Sequence, residues 1–337
     1  MQSVRGRPRR TAALAASLAL IAFGVAACGD DEESAGGGST TAAAGDEKKA
    51  YKMTLLAGVK GDEFYITMNC GAQEEAKKQG VTVEFQGPDQ FDASLQTPIV
   101  NAVAASKPDA LLIAPTDTKA MYAPIKQVAD AGTKVVLVDT TLEQADLAVS
   151  QIASDNEGGG REAAKALAEL IGGKGKVMIV GVKPGISTTD ARAKGFEEEA
   201  KTLGLEFLGQ EFSQDQPDKA AAIVKAALAK DPDLKGIFAS NLFAAEGSAS
   251  GLREADKLDD VKIIGFDAGP KQVTDLEEGV VQALIAQSPA EIGAKGVQQA
   301  VAALNGDPTE PTIGTGFTTI TKDNLEENRD AVYKASC

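Results

Sequence analysis

The residues of this chain best placed to do chemistry are short polar side chains that follow runs of apolar residues. Lys262-Ile-Ile-Gly-Phe266 delivers Asp267 just before a break at Gly269-Pro270. Lys134-Val-Val-Leu-Val138 delivers Asp139 and Thr140, Gly236-Ile-Phe-Ala-Ser240 delivers Asn241, and Ala110-Leu-Leu-Ile-Ala-Pro115 delivers Thr116 and Asp117. Short apolar runs bounded by turn residues read as buried parallel strands. In open parallel sheets a ligand sits outside the carboxyl ends of the strands. Carboxylates and amides gathered there exchange hydrogen bonds with neutral hydroxyls, which is recognition chemistry. Asp and Asn after a strand also serve as helix caps and turn formers. Four such strands presenting polar side chains at one end favour a binding crevice.

Composition removes several classes of function. The chain has 337 residues, long enough for two domains, a formal charge of −15 and no histidine. Imidazole triads, His-ligated metals and His acid–base chemistry are therefore absent. The acidic balance repels nucleic acid and anionic membrane surfaces, so neither is an expected ligand. Residues 1–27 read as an export signal: Arg5, Arg7, Arg9 and Arg10 without an acid, then an apolar stretch from Thr11 to Ala27. An uncleaved single-pass anchor is the competing reading, and Arg9-Arg10 hints weakly at a twin-arginine route. Of the three cysteines, Cys70 and Cys337 make an even pair in the exported portion; they bridge, or either is a buried or free thiol.

Residues 28–50, rich in Gly, Ser, Thr, Ala and acids, read as a flexible tether. Its reach is about 25 Å by square-root scaling. From Ala50 strands and helices alternate, with strands expected at 52–57, 81–86, 110–114 and 134–138 and helices at 64–79, 92–105 and 118–131. A second run follows, with strands near 176–181, 205–210, 236–240, 261–266 and 281–286 and helices near 158–171, 190–203, 217–230, 243–257 and 289–304. The fold class is α/β, one parallel-sheet architecture built twice. The join at 149–156 carries no strong helix or strand pattern and suits a crossover.

Several segments in this order resemble the ribose/galactose-type solute-binding proteins of bacterial ABC importers, the type I periplasmic-binding-protein fold. They are Cys70-Gly-Ala-Gln-Glu-Glu-Ala76, Ile152-Ala-Ser-Asp-Asn156, Ala191-Arg-Ala-Lys-Gly-Phe196, Gly265-Phe-Asp267 and Ile285-Ala-Gln-Ser-Pro-Ala-Glu-Ile-Gly293. The resemblance covers about residues 51–323. It implies two α/β lobes joined by three crossovers that close on a sugar: 51–153 plus 288–315, and 154–287 plus 316–337. Separately, the end of the export signal, Val25-Ala-Ala-Cys28, resembles the lipobox of bacterial lipoproteins, which implies Cys28 lipidated as the new N-terminus of an extracytoplasmic, membrane-anchored protein.

The ligand set implied by the resemblance is Phe64 and Tyr65 stacking on the sugar, Asp139 from the first lobe, and Arg192, Asn241, Asp267 and Gln287 from the second. The lesser alternatives are Phe64 and Tyr65 as helix-start core residues, Arg192 as a partner of Glu198 or another surface acid, and Gln287 as a solvated strand end. The chain departs from ribose binders at Thr140, where they have arginine, at Asp215, where they have an aromatic residue, at Asp62 for Asn and at Gly58 for Ser. These departures point to a hexose, deoxy-sugar or cyclitol, with ribose weaker. No cofactor, metal or chemistry is implied; a glycosidase using Asp139 and Asp267 as its carboxylate pair is the enzymatic alternative. The implied partners are an ABC permease and its ATPase, for a monomeric protein that binds no nucleic acid. A receptor subunit for a membrane signalling protein is the second reading, and a repressor of the same fold is disfavoured by the export signal and the charge. The tail after Asn324 extends past the family's usual last strand, long enough for Cys337 to reach Cys70 on the first helix.

Overall fold

In the computed structural model, which describes residues 50–337, strands and helices alternate and the strands form two six-stranded sheets. The first sheet takes β1 (Lys52–Leu56), β2 (Thr82–Gln86), β3 (Ala110–Ile113), β4 (Lys134–Val138) and β5 (Ser150–Ser154). The second takes β6 (Lys176–Gly181), β7 (Glu206–Phe212), β8 (Leu234–Ala239), β9 (Lys262–Phe266) and β10 (Ala283–Gln287). β11 (Thr312–Thr315) then returns to the first sheet and β12 (Phe317–Thr321) to the second. The spatial orders, β11-β5-β4-β3-β1-β2 and β12-β10-β9-β8-β6-β7, are one pattern used twice. Every pairing is parallel except β10 with β12. The chain changes sheet at Asp155, Ser288 and Gly316.

Helices α1 (Glu63–Gln79), α2 (Ala93–Ser106) and α3 (Tyr122–Asp130) pack in the first lobe. The second lobe carries α4 (Asn156–Leu170), α5 (Ser187–Thr202), α6 (Pro217–Lys230), α7 (Leu242–Glu254) and α8 (Pro270–Glu277). α9 (Pro289–Asn305) returns to cover β3, β4 and β5 and packs along α1. With helices on both faces, the central strands are apolar throughout: Leu111, Leu112 and Ile113 of β3 are all buried. α1 starts where Asp62 accepts from the Phe64 amide at 2.8 Å and stops at the left-handed Gly80, with Lys77 and Lys78 in its last turn.

Several elements differ from the sequence pattern, β11 and β12 among them, which no expected strand covers. The join expected to lack structure holds β5, whose burial alternates along Ser-Gln-Ile-Ala-Ser; pairing with β4 and β11 makes it a strand without an apolar run. α3 begins at Tyr122 rather than near 118, because Asp117 accepts from the Lys119 and Ala120 amides in a tight turn. Pro270, fixed in φ at the first helical position, starts the unforeseen α8.

The tail also departs from the expected partition. Its 3₁₀ segment Glu326–Ala331 lies against β12, but the last residues leave the second lobe: the Lys334 amide donates to Thr67 Oγ1 at 2.7 Å, and Cys337 is bonded to Cys70 of α1. Among the described residues no helix is long and apolar enough to cross a membrane. Cys28, the signal segment and nearly all of the tether lie outside the described residues.

Candidate functional site

The two sheets place a carboxylate at equivalent points. Asp139 follows β4 and Asp267 follows β9, each the third strand in its sheet. Each amide donates to the neighbouring strand, Asp139 to Ile152 O at 2.8 Å and Asp267 to Ile285 O at 2.9 Å. Each residue is left-handed, with φ of 63° and 78°. Asp and Asn are among the few L-residues that visit this region, and such residues cluster at binding sites. The chain thus turns abruptly at the strand end and aims each acid outward from its sheet.

Both acids open onto a small cavity of about 40 Å³ between the lobes. Asp62, Phe64, Tyr65, Phe91 and Asp139 line it from the first lobe. Val182, Ile186, Thr188, Thr189, Arg192, Asp215, Asn241, Asp267 and Gln287 line it from the second. At the rim the lobes meet directly: the Thr118 amide donates to Gly185 O at 3.0 Å and the Thr141 amide to Ser187 Oγ at 2.9 Å. Polar groups from both lobes therefore face the same enclosed space.

Every charged side chain in the wall is held in place. Tyr65 donates its hydroxyl to Asp139 Oδ2 at 2.7 Å. Arg192 donates to Asn156 Oδ1 at 2.8 Å and Ser240 O at 2.9 Å, and its guanidinium lies 3.7 Å from the Phe266 ring centroid. The Asn241 amide donates to Asp215 Oδ1 at 2.7 Å. Asp267 accepts three bonds: from Gln287 Nε2 at 2.7 Å and Tyr333 Oη at 3.0 Å on Oδ1, and from the Leu242 amide at 3.0 Å on Oδ2. Thr189 Oγ1 and Gln287 Oε1 are buried with no hydrogen-bond partner among the described residues. Both residues line the cavity.

Four acids face a single arginine here, and burial raises the carboxyls of three of them, Asp62, Asp139 and Asp215. The Asp139 carboxyl rises to about 6 through burial, opposed by the Arg192 charge and the Tyr65 hydrogen bond. Asp215 also rises to about 6, through burial against its bond from Asn241. Asp62 is raised well above the carboxylate range, first by burial and then by the charges of Asp267 and Asp215. Burial likewise keeps the Tyr65 phenol protonated, so it remains a donor to Asp139. Among the described residues no group of three or more acids or cysteines is arranged to hold a metal ion.

The seven ligand residues implied by the resemblance line this cavity together with Asp62 and Asp215; Thr140 does not. Its side chain is buried and its hydroxyl donates to Pro115 O at 2.8 Å, so it fixes the neighbouring loop instead of facing a ligand. Asp62 and Asn241 turn out to be helix caps and cavity walls at once. At Thr116 and Asp117 the turn-forming role is the whole role, since Gln96 Oε1 takes both polar groups of Thr116. Glu198 pairs with Arg161, leaving Arg192 free of it.

Sequence reading missed Phe91, Thr188, Thr189, Asn156 as the Arg192 holder, and Tyr333. Phe91 sits in a Gly-Pro-rich loop without periodicity; its only signal is an aromatic among turn residues. Gly58 is its counterpart, since a Cβ there would lie 2.3 Å from the Phe91 ring and 2.5 Å from the Tyr65 hydroxyl.

Comparison with known proteins agrees with this architecture. The family model described as a periplasmic binding protein domain matches residues 54–308. The ribose import binding protein of Bacillus subtilis (strain 168) is 30% identical over 266 residues, 79% of this chain and 86% of that protein. The D-ribose/D-allose-binding protein of Pseudomonas aeruginosa is 31% identical over 261 residues, 74% of this chain and 81% of that protein. A crystal structure of an ABC transporter solute-binding protein from Agrobacterium vitis, bound with α-D-tagatopyranose, superposes with a TM-score of 0.83 at 42% identity, covering 84% of this chain and 99% of that one. A second from the same organism, with bound D-fucose, gives a TM-score of 0.80 at 28% identity over 84% of this chain and 100% of that one. With its two matched sheets, three crossings and a cavity between lobes, the chain belongs to the periplasmic binding protein domain family, among the type I solute-binding proteins of ABC importers.

Proposed function

We propose that this protein captures a neutral sugar of the hexose, deoxy-sugar or cyclitol class and presents it to an ABC permease and its ATPase. The observation that carries the reading is the pairing of Asp139 and Asp267: equivalent strand ends of two lobes aim carboxylates into one cavity whose other walls include Arg192, Asn241, Gln287 and aromatic faces. A carboxylate accepts from neighbouring hydroxyls and a guanidinium donates in a fixed fork. Each such bond contributes about 1.5–3 kcal/mol net. Phe64, Tyr65 and Phe91 supply apolar faces for the C–H side of a pyranose. The hexose and deoxyhexose bound by the two Agrobacterium vitis proteins support that size class.

Binding, not turnover, is the activity, and lobe closure is the mechanism. The site takes contacts from both lobes, so a ligand that touches Asp139 and Asp267 together stabilises the form in which they face one another. The permease reads that closed surface. Export and lipid on Cys28 hold the protein, as a monomer, at the outer face of the cell membrane. A thermal-shift screen against monosaccharides, deoxy-sugars and cyclitols tests the reading. A true ligand at 100 times its Kd adds about 2.7 kcal/mol of stability, whereas a flat response across the whole set would contradict it.

A further inference from the structure

Beyond the cavity wall stands a residue that belongs to neither family motif nor strand end. Tyr333 lies in the C-terminal tail, is buried, and reaches the floor of the site from behind. Its hydroxyl donates to Asp267 Oδ1 at 3.0 Å while accepting from the Gln287 amide at 3.0 Å. Its amide donates to Ala268 O at 2.9 Å, and its ring meets that of Phe64 edge-on with centroids 5.8 Å apart. One side chain therefore touches two polar ligand residues of the second lobe and an aromatic of the first. The next residue belongs to the other lobe: the Lys334 amide donates to Thr67 Oγ1, and three residues on Cys337 is bonded to Cys70 of α1. This strap runs beside two of the existing crossings, since Thr67, Ser288, Thr318, Val332 and Tyr333 line one pocket of about 410 Å³.

We infer that Tyr333 is a positioning residue for the sugar site, and that the Cys70–Cys337 bridge acts through it by fastening the tail across both lobes. The physical reason lies in the carboxylate's geometry. A carboxylate has about four acceptor positions. Three on Asp267 are filled by Tyr333, Gln287 and the Leu242 amide, which fixes its plane and leaves a single direction for a ligand hydroxyl. Without the phenol the carboxylate and the Gln287 amide each lose a buried partner, and the acid is free to rotate. Burial, with the Asp267 charge next, keeps the phenol protonated and so able to donate. The bridge matters because a chain end held by few contacts opens locally at little cost, and it closes that route for the residues after Tyr333. The strap lies near the chain crossings, so it restrains the lobes without spanning the mouth.

This inference rests on the sugar reading, and isothermal titration of the oxidised protein with D-tagatose and D-fucose separates the two. Tyr333→Phe keeps the ring contact with Phe64 and removes only the hydroxyl; it is expected to weaken binding roughly 10-fold and to lower the ligand-free melting temperature, since Asp267 and the Gln287 amide lose a buried partner. In an Asp267→Ala background the same change is expected to cost much less, leaving only the loss of the Gln287 amide bond, which a role in packing alone would not produce. Cys337→Ser leaves Tyr333 in the chain but frees its anchor, and is expected to weaken binding by about threefold or more. Parent-like affinity in either single variant, or an undiminished effect of Tyr333→Phe without Asp267, overturns the inference. Failure of the parent to bind any sugar brings down the sugar reading itself, and this inference with it.

Discussion

Asp267 carries more of the site than any other residue, because it joins a strand end, a helix start, the cavity and the tail. Replacing it by Ala strips a ligand acceptor and also leaves the Leu242 amide, Gln287 and Tyr333 without their partner. The expected loss is about 2–4 kcal/mol, or some 30- to 1000-fold in sugar affinity by titration; an unchanged Kd would remove Asp267 from the site. Asp215 gives a pH signature. Its carboxyl titrates at about 6 in the folded chain against 3.8 for an ordinary aspartate, so the folded form holds the proton more tightly. The stability this confers is complete below about pH 4 and is lost as the pH rises through about 6. Asp215→Asn, which keeps an acceptor for Asn241, should therefore raise the ligand-free melting temperature more at pH 7.5 than at pH 5. Equal shifts at both pH values would mean the group titrates normally.

At the scale of elements, two left-handed turns and one glycine set the geometry. Asp139 and Asp267 turn outward because each leaves its strand in the left-handed region, and Phe91 reaches the cavity because Gly58 has no Cβ to meet it. Gly58→Ala forces Phe91 and the Tyr65 hydroxyl aside, and denaturant unfolding should show a loss of about 1–3 kcal/mol together with weaker sugar binding. An Ala variant as stable as the parent would mean the loop gives way freely. The same elements explain what the sequence could and could not convey. Apolar strands such as Ala110–Ile113 and Lys262–Phe266 are legible because burial on both faces demands an unbroken apolar run. β5 is not legible: its Ser and Gln sit in a half-buried strand held between β4 and β11, and β11 is far away in sequence. Thr140 reads as a ligand residue by its place after a strand, but only the folded chain brings Pro115 O within reach of its hydroxyl. Tyr333 is one of four tyrosines, and its position in the tail gives no sign that the chain end passes beneath the site.

For the whole molecule, anchoring and capture make separate demands. The Val25-Ala-Ala-Cys28 ending predicts that Cys28 carries a diacylglyceryl group, two chains being enough for stable membrane attachment where one is marginal. Cys28→Ala should move the protein from the membrane fraction to the soluble one or block its processing; membrane retention with normal cleavage would contradict lipidation. Capture depends on two like lobes of one chain bringing Asp139 and Asp267 to a common cavity, with rim bonds at Thr118 and Thr141 closing over it. Isothermal titration of the protein with D-tagatose, D-fucose, a cyclitol, ribose and a set of amino acids tests that claim most directly. Saturable binding at one site per chain, tightest for a hexose, deoxy-sugar or cyclitol and clearly weaker for ribose, is the predicted result. Tightest binding of an amino acid, or no heat of binding from any sugar, would contradict it.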